Sequence, residues 1–187
     1  ILIIGLMFGS ISAAIINVLS YFSSAELLQQ FIFWSFGSLG NLSWKELGIF
    51  ATTISISIVF LLTSIKPLNG LLLGENYATS IGVNLKKTRT LILVITSLMT
   101  GVITAFSGPI AFIGLAVPHL TKLLFDTSDH KILIPSVAFT GAILMLICDT
   151  IAQVPNSEYT LPINAITSLF GAPVVIWLLI RKQKVMI

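Results

Sequence analysis

A chain of 187 residues could hold one or two soluble domains by length alone. A composition of 56 % hydrophobic and 9 % charged residues, with a mean hydropathy of +1.03, excludes an ordinary water-soluble globule. Ten Lys and Arg against seven Asp and Glu give a net charge of +3; in so apolar a chain the basic residues read as membrane-topology signals rather than as a nucleic-acid surface.

Six membrane-spanning helices are predicted, because about 20 apolar residues at helical rise cross a ~30 Å hydrocarbon core and open strand edges cannot be satisfied in lipid. They cover 1–22, 47–65, 91–106, 110–125, 132–152 and 161–180. The chain opens on Ile1 inside an apolar run, with neither a charged leader nor a small-residue cleavage site. It is therefore expected to continue a longer protein whose earlier helices lie upstream. Between the first two spans, 23–46 is too short and mixed for another crossing. An amphipathic helix near 25–36, followed by the turn-forming GSLGN, fits an external segment in the interface, and Trp34 and Trp44 suit that depth.

The basic residues separate by side. Lys66, Lys86, Lys87, Arg89, Lys122, Lys131, Arg181, Lys182 and Lys184 fall on one face and Lys45 alone on the other. The positive-inside rule then places 70–90 and the C-terminus in the cytoplasm. Within 70–90, the stretch GENYATSIGVN is a polar interruption with a glycine near each end, Gly74 and Gly82. Glu75 suits a helix N-terminus, and Tyr77, Ala78 and Ile81 share one helical face.

Several chemistries have no motif here. The chain lacks a phosphate-binding Gly-rich loop ending in Gly-Lys-Ser/Thr, a His-Glu-x-x-His zinc motif and a nucleophile elbow. No cofactor is called for. Cys148, the single cysteine, lies in an apolar run and excludes an intrachain disulfide; it is expected to be a small buried hydrophobe. Asp149 is the one acid deep in an apolar run, and intramembrane acids are functional candidates. It lies ~25 Å along its span at helical rise, so a partly solvated structural acid is the competing reading. Gly108-Pro109 and Pro118 break the apolar pattern around Gly114, and Pro162 and Gly171-x-Pro173 do so again near the C-terminus. Interrupted helices in membranes face protein or a water-filled cavity, which makes these residues candidates for lining a path. His119 follows Pro118 and is either a ligand-facing or an interface histidine. Ser and Thr at 52, 53, 55, 57, 96, 97, 100 and 104 could line the same path, or simply bond their own helix carbonyls. Small residues at Gly5 and Gly9, and at Ser97, Gly101 and Ala105, suit close helix packing.

Taken together, LGENYATSIGVNLKKTR, SGPIAFIGLAVPHLTKLL, SDHKILIPSVAFTGAILMLICDTIA and LPINAITSLFGAPVVIWLL resemble, in this order, the FecCD-type permeases of ATP-binding-cassette (ABC) importers for vitamin B12, ferric siderophores and haem. The resemblance runs from about residue 1 to Lys182. It implies an all-α integral membrane protein of the type II importer fold, here the last six helices of ten, in the bacterial cytoplasmic (inner) membrane. It also implies a second permease subunit (identical or paralogous), separate ATPase subunits and an external substrate-binding protein, with no enzymatic activity in the chain itself. Gly74, Glu75, Tyr77, Ala78, Ile81 and Gly82 would form a short helix pair that docks on the ATPase. The family pattern of Arg after the intramembrane acid is Gln153 here, its acid before Leu-Pro is Thr160, and its Gly after Leu-Pro-x is Asn164. Glu26, Glu46 and Glu158 remain for polar contacts with a binding protein. A secondary transporter or channel without an ATPase is the alternative, and would call for paired polar groups near the midplane. An intramembrane enzyme would need a catalytic pair, and the sequence displays none.

Overall fold

The computed structural model describes residues 2–40, 42–153 and 160–183. Among them are nine α-helices and no strand: α1 (Leu2–Tyr21), α2 (Ala25–Phe36), α3 (Trp44–Thr63), α4 (Ile65–Leu72), α5 (Glu75–Ser80), α6 (Leu85–Ser107), α7 (Ile113–Phe125), α8 (His130–Ala152) and α9 (Ile163–Gln183). The helices divide into two compact units, 1–35 and 36–187. The first consists of α1, without a charged residue, and α2, which carries Glu26 in its first turn; an acid there complements the helix dipole. Tyr21 and Phe22 meet edge to face at the end of α1.

In the second unit α3 packs along α6, with Phe50 and Phe106 edge to face at 6.0 Å. α7, α8 and α9 pack on one another. Cys148 and Ala152 of α8 and Ile166 of α9, with Leu144 beside them, form a buried core between those two helices. Burial is otherwise sparse: Phe139 is 72 % exposed and Leu169 70 %. Large apolar side chains facing outward throughout mean that the surrounding solvent is hydrocarbon or further protein, not water.

Local chemistry explains the helix ends. Ser43 caps α3 in a capping box: its hydroxyl accepts from the Glu46 N–H (3.4 Å), and the Glu46 carboxylate accepts from the Ser43 N–H at 2.8 Å. Glu46 therefore serves its own helix. Asn84 caps α6 by accepting from the Lys87 N–H at 3.0 Å. Glu158 and Lys184 lie outside the described residues.

Among the described residues α1, α3, α6 and α8 are long and apolar enough to cross a membrane, while α7 is a shorter apolar helix and α9 is apolar over Ile163–Trp177. At 13 residues α7 is only ~20 Å long. The shortness of α7 has a backbone cause. Residues 108–112 are not helical, and Phe112 caps α7 at φ 65, so the helix begins three residues later than the apolar run.

Candidate functional site

The polar stretch between α3 and α6 folds into two short helices. α3 ends at Ser64, whose hydroxyl donates to the Phe60 carbonyl (3.2 Å) and which is buried. α4 follows at once and closes with the Leu73 N–H donating to Gly70 (3.2 Å) and the Gly74 N–H to Leu71 (3.1 Å). Gly74 then takes φ 103, ψ 156, and α5 starts. At the far end the Gly82 N–H donates to the Thr79 carbonyl (3.0 Å) and the Val83 N–H to Ala78 (2.9 Å). Those paired bonds, with Gly82 at φ 85, are a Schellman termination with glycine at the left-handed position. Its apolar contact docks on α4: a Cβ at Gly70 would lie 3.2 Å from Ile81 Cδ1, 3.7 Å from Val83 Cγ2 and 3.8 Å from Ala78 Cβ.

The six coupling candidates thus separate by role. Ala78 is fully buried and packs over Gly70, while Tyr77 is 47 % and Ile81 54 % exposed. Glu75 forms an ion pair with Arg89 near the start of α6. Both partners are well exposed, so the pair is worth at most about 1 kcal/mol. Gly74 and Gly82 supply bends, and neither faces a neighbour closely.

A second set of contacts was not legible in the sequence. Asn69 of α4 reaches the junction of α7 and α8, 60 residues on: its Nδ2 donates to Asp129 Oδ1 at 2.6 Å, and its Oδ1 accepts from the His130 N–H (2.9 Å) and from His130 Nδ1 (2.7 Å). Asp129 also caps α8 by accepting from the Lys131 N–H at 2.9 Å. The Lys131 amide first, and the Asn69 amide second, hold the Asp129 carboxyl below the ordinary carboxylate range. The depressed value fixes the sign: the stabilisation is complete above the ordinary carboxylate pKa and is lost as pH falls through the lower folded-state value. Carbon-13 NMR titration in detergent should place the Asp129 midpoint below that of an ordinary aspartate, and Asn69→Ala should move it back up. An unmoved midpoint would exclude the Asn69 contribution.

The helix-break candidates cluster at the other end of α6. Ser107 and Gly108 are buried, and Gly108 has φ 76. The Ser107 carbonyl accepts from the Ser38 N–H at 3.0 Å, with Gly37 tucked against Ile163. Beyond Pro109, the Ala111 N–H donates to Asn164 Oδ1 at 3.1 Å, a bond that a glycine at 164 could not make. Pro162 lies just before α9, where its carbonyl accepts from the Ala165 N–H. Gly171 passes so close to Phe112 that any Cβ would collide with the Phe112 Cβ. Pro118 and Pro173 lie inside α7 and α9, each removing one helix hydrogen bond.

Gly114 is exposed, and His119, also exposed, donates Nδ1–H to the Leu115 carbonyl at 2.9 Å. Asp149 accepts from Gln153 Nε2 at 2.7 Å, one turn on. Ile113, Ala116, Leu144, Cys148, Phe170 and Gly171 are among the residues lining an apolar cavity of about 170 Å³ between α7, α8 and α9. Thr52, Thr53, Ser57 and Thr96 bond carbonyls four residues back in their own helices. No group of three or more His, Cys, Asp or Glu able to hold a metal occurs among the described residues.

A two-helix segment between long apolar helices, with an interrupted helix pair beyond, is the build of a polytopic transport protein. The FecCD transport family profile matches residues 1–181, and the chain belongs to that family. It is 36 % identical over 183 residues to the vitamin B12 import system permease protein BtuC of Salmonella typhimurium LT2, a match covering 98 % of this chain and 56 % of that protein. The counterpart from Citrobacter koseri is 37 % identical, covering 98 % and 55 %. A solved structure of a metal-chelate type ABC transporter in an inward-facing conformation superposes with a TM-score of 0.86 at 31 % identity, over 95 % of this chain and 59 % of that one. The chain thus spans little more than half the length of the relatives it matches.

Proposed function

We propose that this chain forms the C-terminal part of the membrane-spanning subunit of an ATP-driven importer in the bacterial cytoplasmic membrane. The cargo is a large metal complex: an iron chelate (ferric siderophore or haem) or cobalamin. Family membership supports the importer reading, and the names of the relatives bracket the cargo class. The nine-to-one division of basic residues supports a cytoplasmic position for α4, α5 and the C-terminus. A second permease subunit, two ATPase subunits and an external binding protein complete the assembly.

The observation that carries the reading is α5 itself. It is a six-residue helix bounded by two positive-φ glycines, seated on α4 through Ala78 and the tip of Ile81, and leaving about half of Tyr77 and of Ile81 exposed. A segment so held presents a small rigid surface to a partner. ATP-driven closure of the ATPase dimer would push on that surface, and the long helices would rock between outward- and inward-open arrangements. Gln153 stands where the resemblance implies a basic docking residue and bonds Asp149 instead, which makes Glu26 a candidate for contact with the binding protein.

In the full-length protein, Tyr77→Ala with Ile81→Ala is expected to weaken ATPase co-purification about tenfold or more, in line with loss of central interface anchors, without lowering insertion. Unchanged association and unchanged transport-linked ATP hydrolysis would remove α5 from the interface. Uptake that persists after ATP depletion would instead favour a secondary transporter.

A further inference from the structure

Two side-chain links leave the α4–α5 segment among the described residues. One is the exposed Glu75–Arg89 pair to α6. The other is the Asn69 clamp on Asp129 and His130 at the start of α8. The two differ in kind. An ion pair of flexible, solvated side chains tolerates sliding, whereas the Asn69 amide is held at both ends. Its NH₂ faces a carboxylate, and its oxygen faces a backbone N–H and a ring N–H. A flipped amide would set oxygen against carboxylate and NH₂ against two donors, so only one orientation satisfies the site. Asp129 is also the N-cap of α8, which makes the contact part of the helix end rather than of a loose loop. α8 then runs ~34 Å to the core it shares with α9 and to the cavity it lines with α7 and α9.

We propose that Asn69 is a positioning residue that joins the α4–α5 segment to α8, so that displacement of the segment is delivered to α8 and from it to the α7–α9 cluster. It rests on the ATP-driven reading above and names where that motion enters the bundle. Loss of the joint leaves the ATPase bound and turning over while cargo movement per ATP falls. A merely structural role would lower both together.

A swap of donor and acceptor tests it. Asn69→Asp sets a second carboxylate against Asp129 and breaks the clamp. Asn69→Asp combined with Asp129→Asn rebuilds it in reverse: the new carboxylate accepts from His130, and the new amide caps Lys131 and donates back. Reconstituted full-length transporter with its ATPase and binding protein, supplied with whichever of cobalamin, haem and a ferric siderophore the wild type accumulates, should show, for Asn69→Asp, wild-type co-purification, ATP hydrolysis within about twofold and about a tenfold drop in that compound moved per ATP, a loss within the range of coupled-pair effects. The double variant should recover most of that loss.

Amide exchange of residues 65–84 should rise in Asn69→Asp and return in the double variant. Wild-type coupling in Asn69→Asp, or a folded double variant that does not recover, overturns the joint. If Asn69→Asp does not fold, Asn69→Ala cuts the link without repulsion and carries the same expectation. A wild-type protein that never associates with an ATPase overturns the functional reading instead. The exchange result then decides the joint by itself: a rise in 65–84 on breaking the clamp supports it, and none sinks it.

Discussion

Gly74→Val in the full-length protein is expected to cut transport-linked ATP hydrolysis about tenfold while the chain still inserts and accumulates, a cost set by forcing a side chain into a backbone region held essentially by glycine, about 1–3 kcal/mol. The effect is conformational, because a Cβ at Gly74 meets nothing within 4 Å. Without its extended positive-φ turn, α5 would leave α4 at a different angle and Tyr77 and Ile81 would face elsewhere. The comparison with Gly82 makes the account specific. Gly82 occupies the left-handed position of a Schellman termination, which asparagine tolerates. Gly82→Asn should therefore retain most activity and Gly74→Asn should not. Equal behaviour of the two asparagine variants, measured as ATPase stimulation in proteoliposomes, would refute the backbone explanation.

The largest effect on stability is expected at Gly171. A methyl group there runs into the Phe112 Cβ, and Phe112 cannot yield easily because it already sits at φ 65 as the cap of α7. Overpacking of this kind costs about 1–3 kcal/mol. Gly171→Ala should lower the thermal midpoint in detergent, and adding Phe112→Gly should recover much of the loss, since it removes the colliding atoms and relieves the backbone together. A midpoint unchanged in Gly171→Ala would mean that α7 and α9 are not held at this separation. Recovery confined to the Phe112→Gly background would identify the contact as the cause.

How much of this was readable in advance depended on the range of the interaction. The amphipathic run at Ala25–Phe36 and the glycines framing GENYATSIGVN are local signals, and helices form between them as those signals indicate. The inward side of α5 was not legible. Tyr77, Ala78 and Ile81 share a face by spacing, but only the packing on Gly70 shows that Ala78 is covered completely and Ile81 in part. Hydropathy overextended the span beginning at 110, because it cannot register that Phe112 adopts a positive φ foreign to its residue type.

Asp129 caps α8, yet its Asn69 partner lies 60 residues away and nothing local announced it. Gln153 and Asn164 stood out only as departures from a family pattern. In space each has a partner, Asp149 and Ala111. The Asp149–Gln153 bond joins residues one helical turn apart and was within reach of sequence reasoning; the Asn164 bond was not.

The shortness of α7 bears on how the chain is made. A ribosome delivers residues 108–125 to the insertion machinery as an apolar segment whose first five residues form no helix, and their backbone groups find no hydrogen-bonding solvent in lipid. One of them, the Ala111 N–H, is satisfied by Asn164, which is synthesised 53 residues later. The Ala111 bond therefore forms only once the first turn of α9 has been made, so this stretch reaches its final backbone pairing later than the helix that follows it.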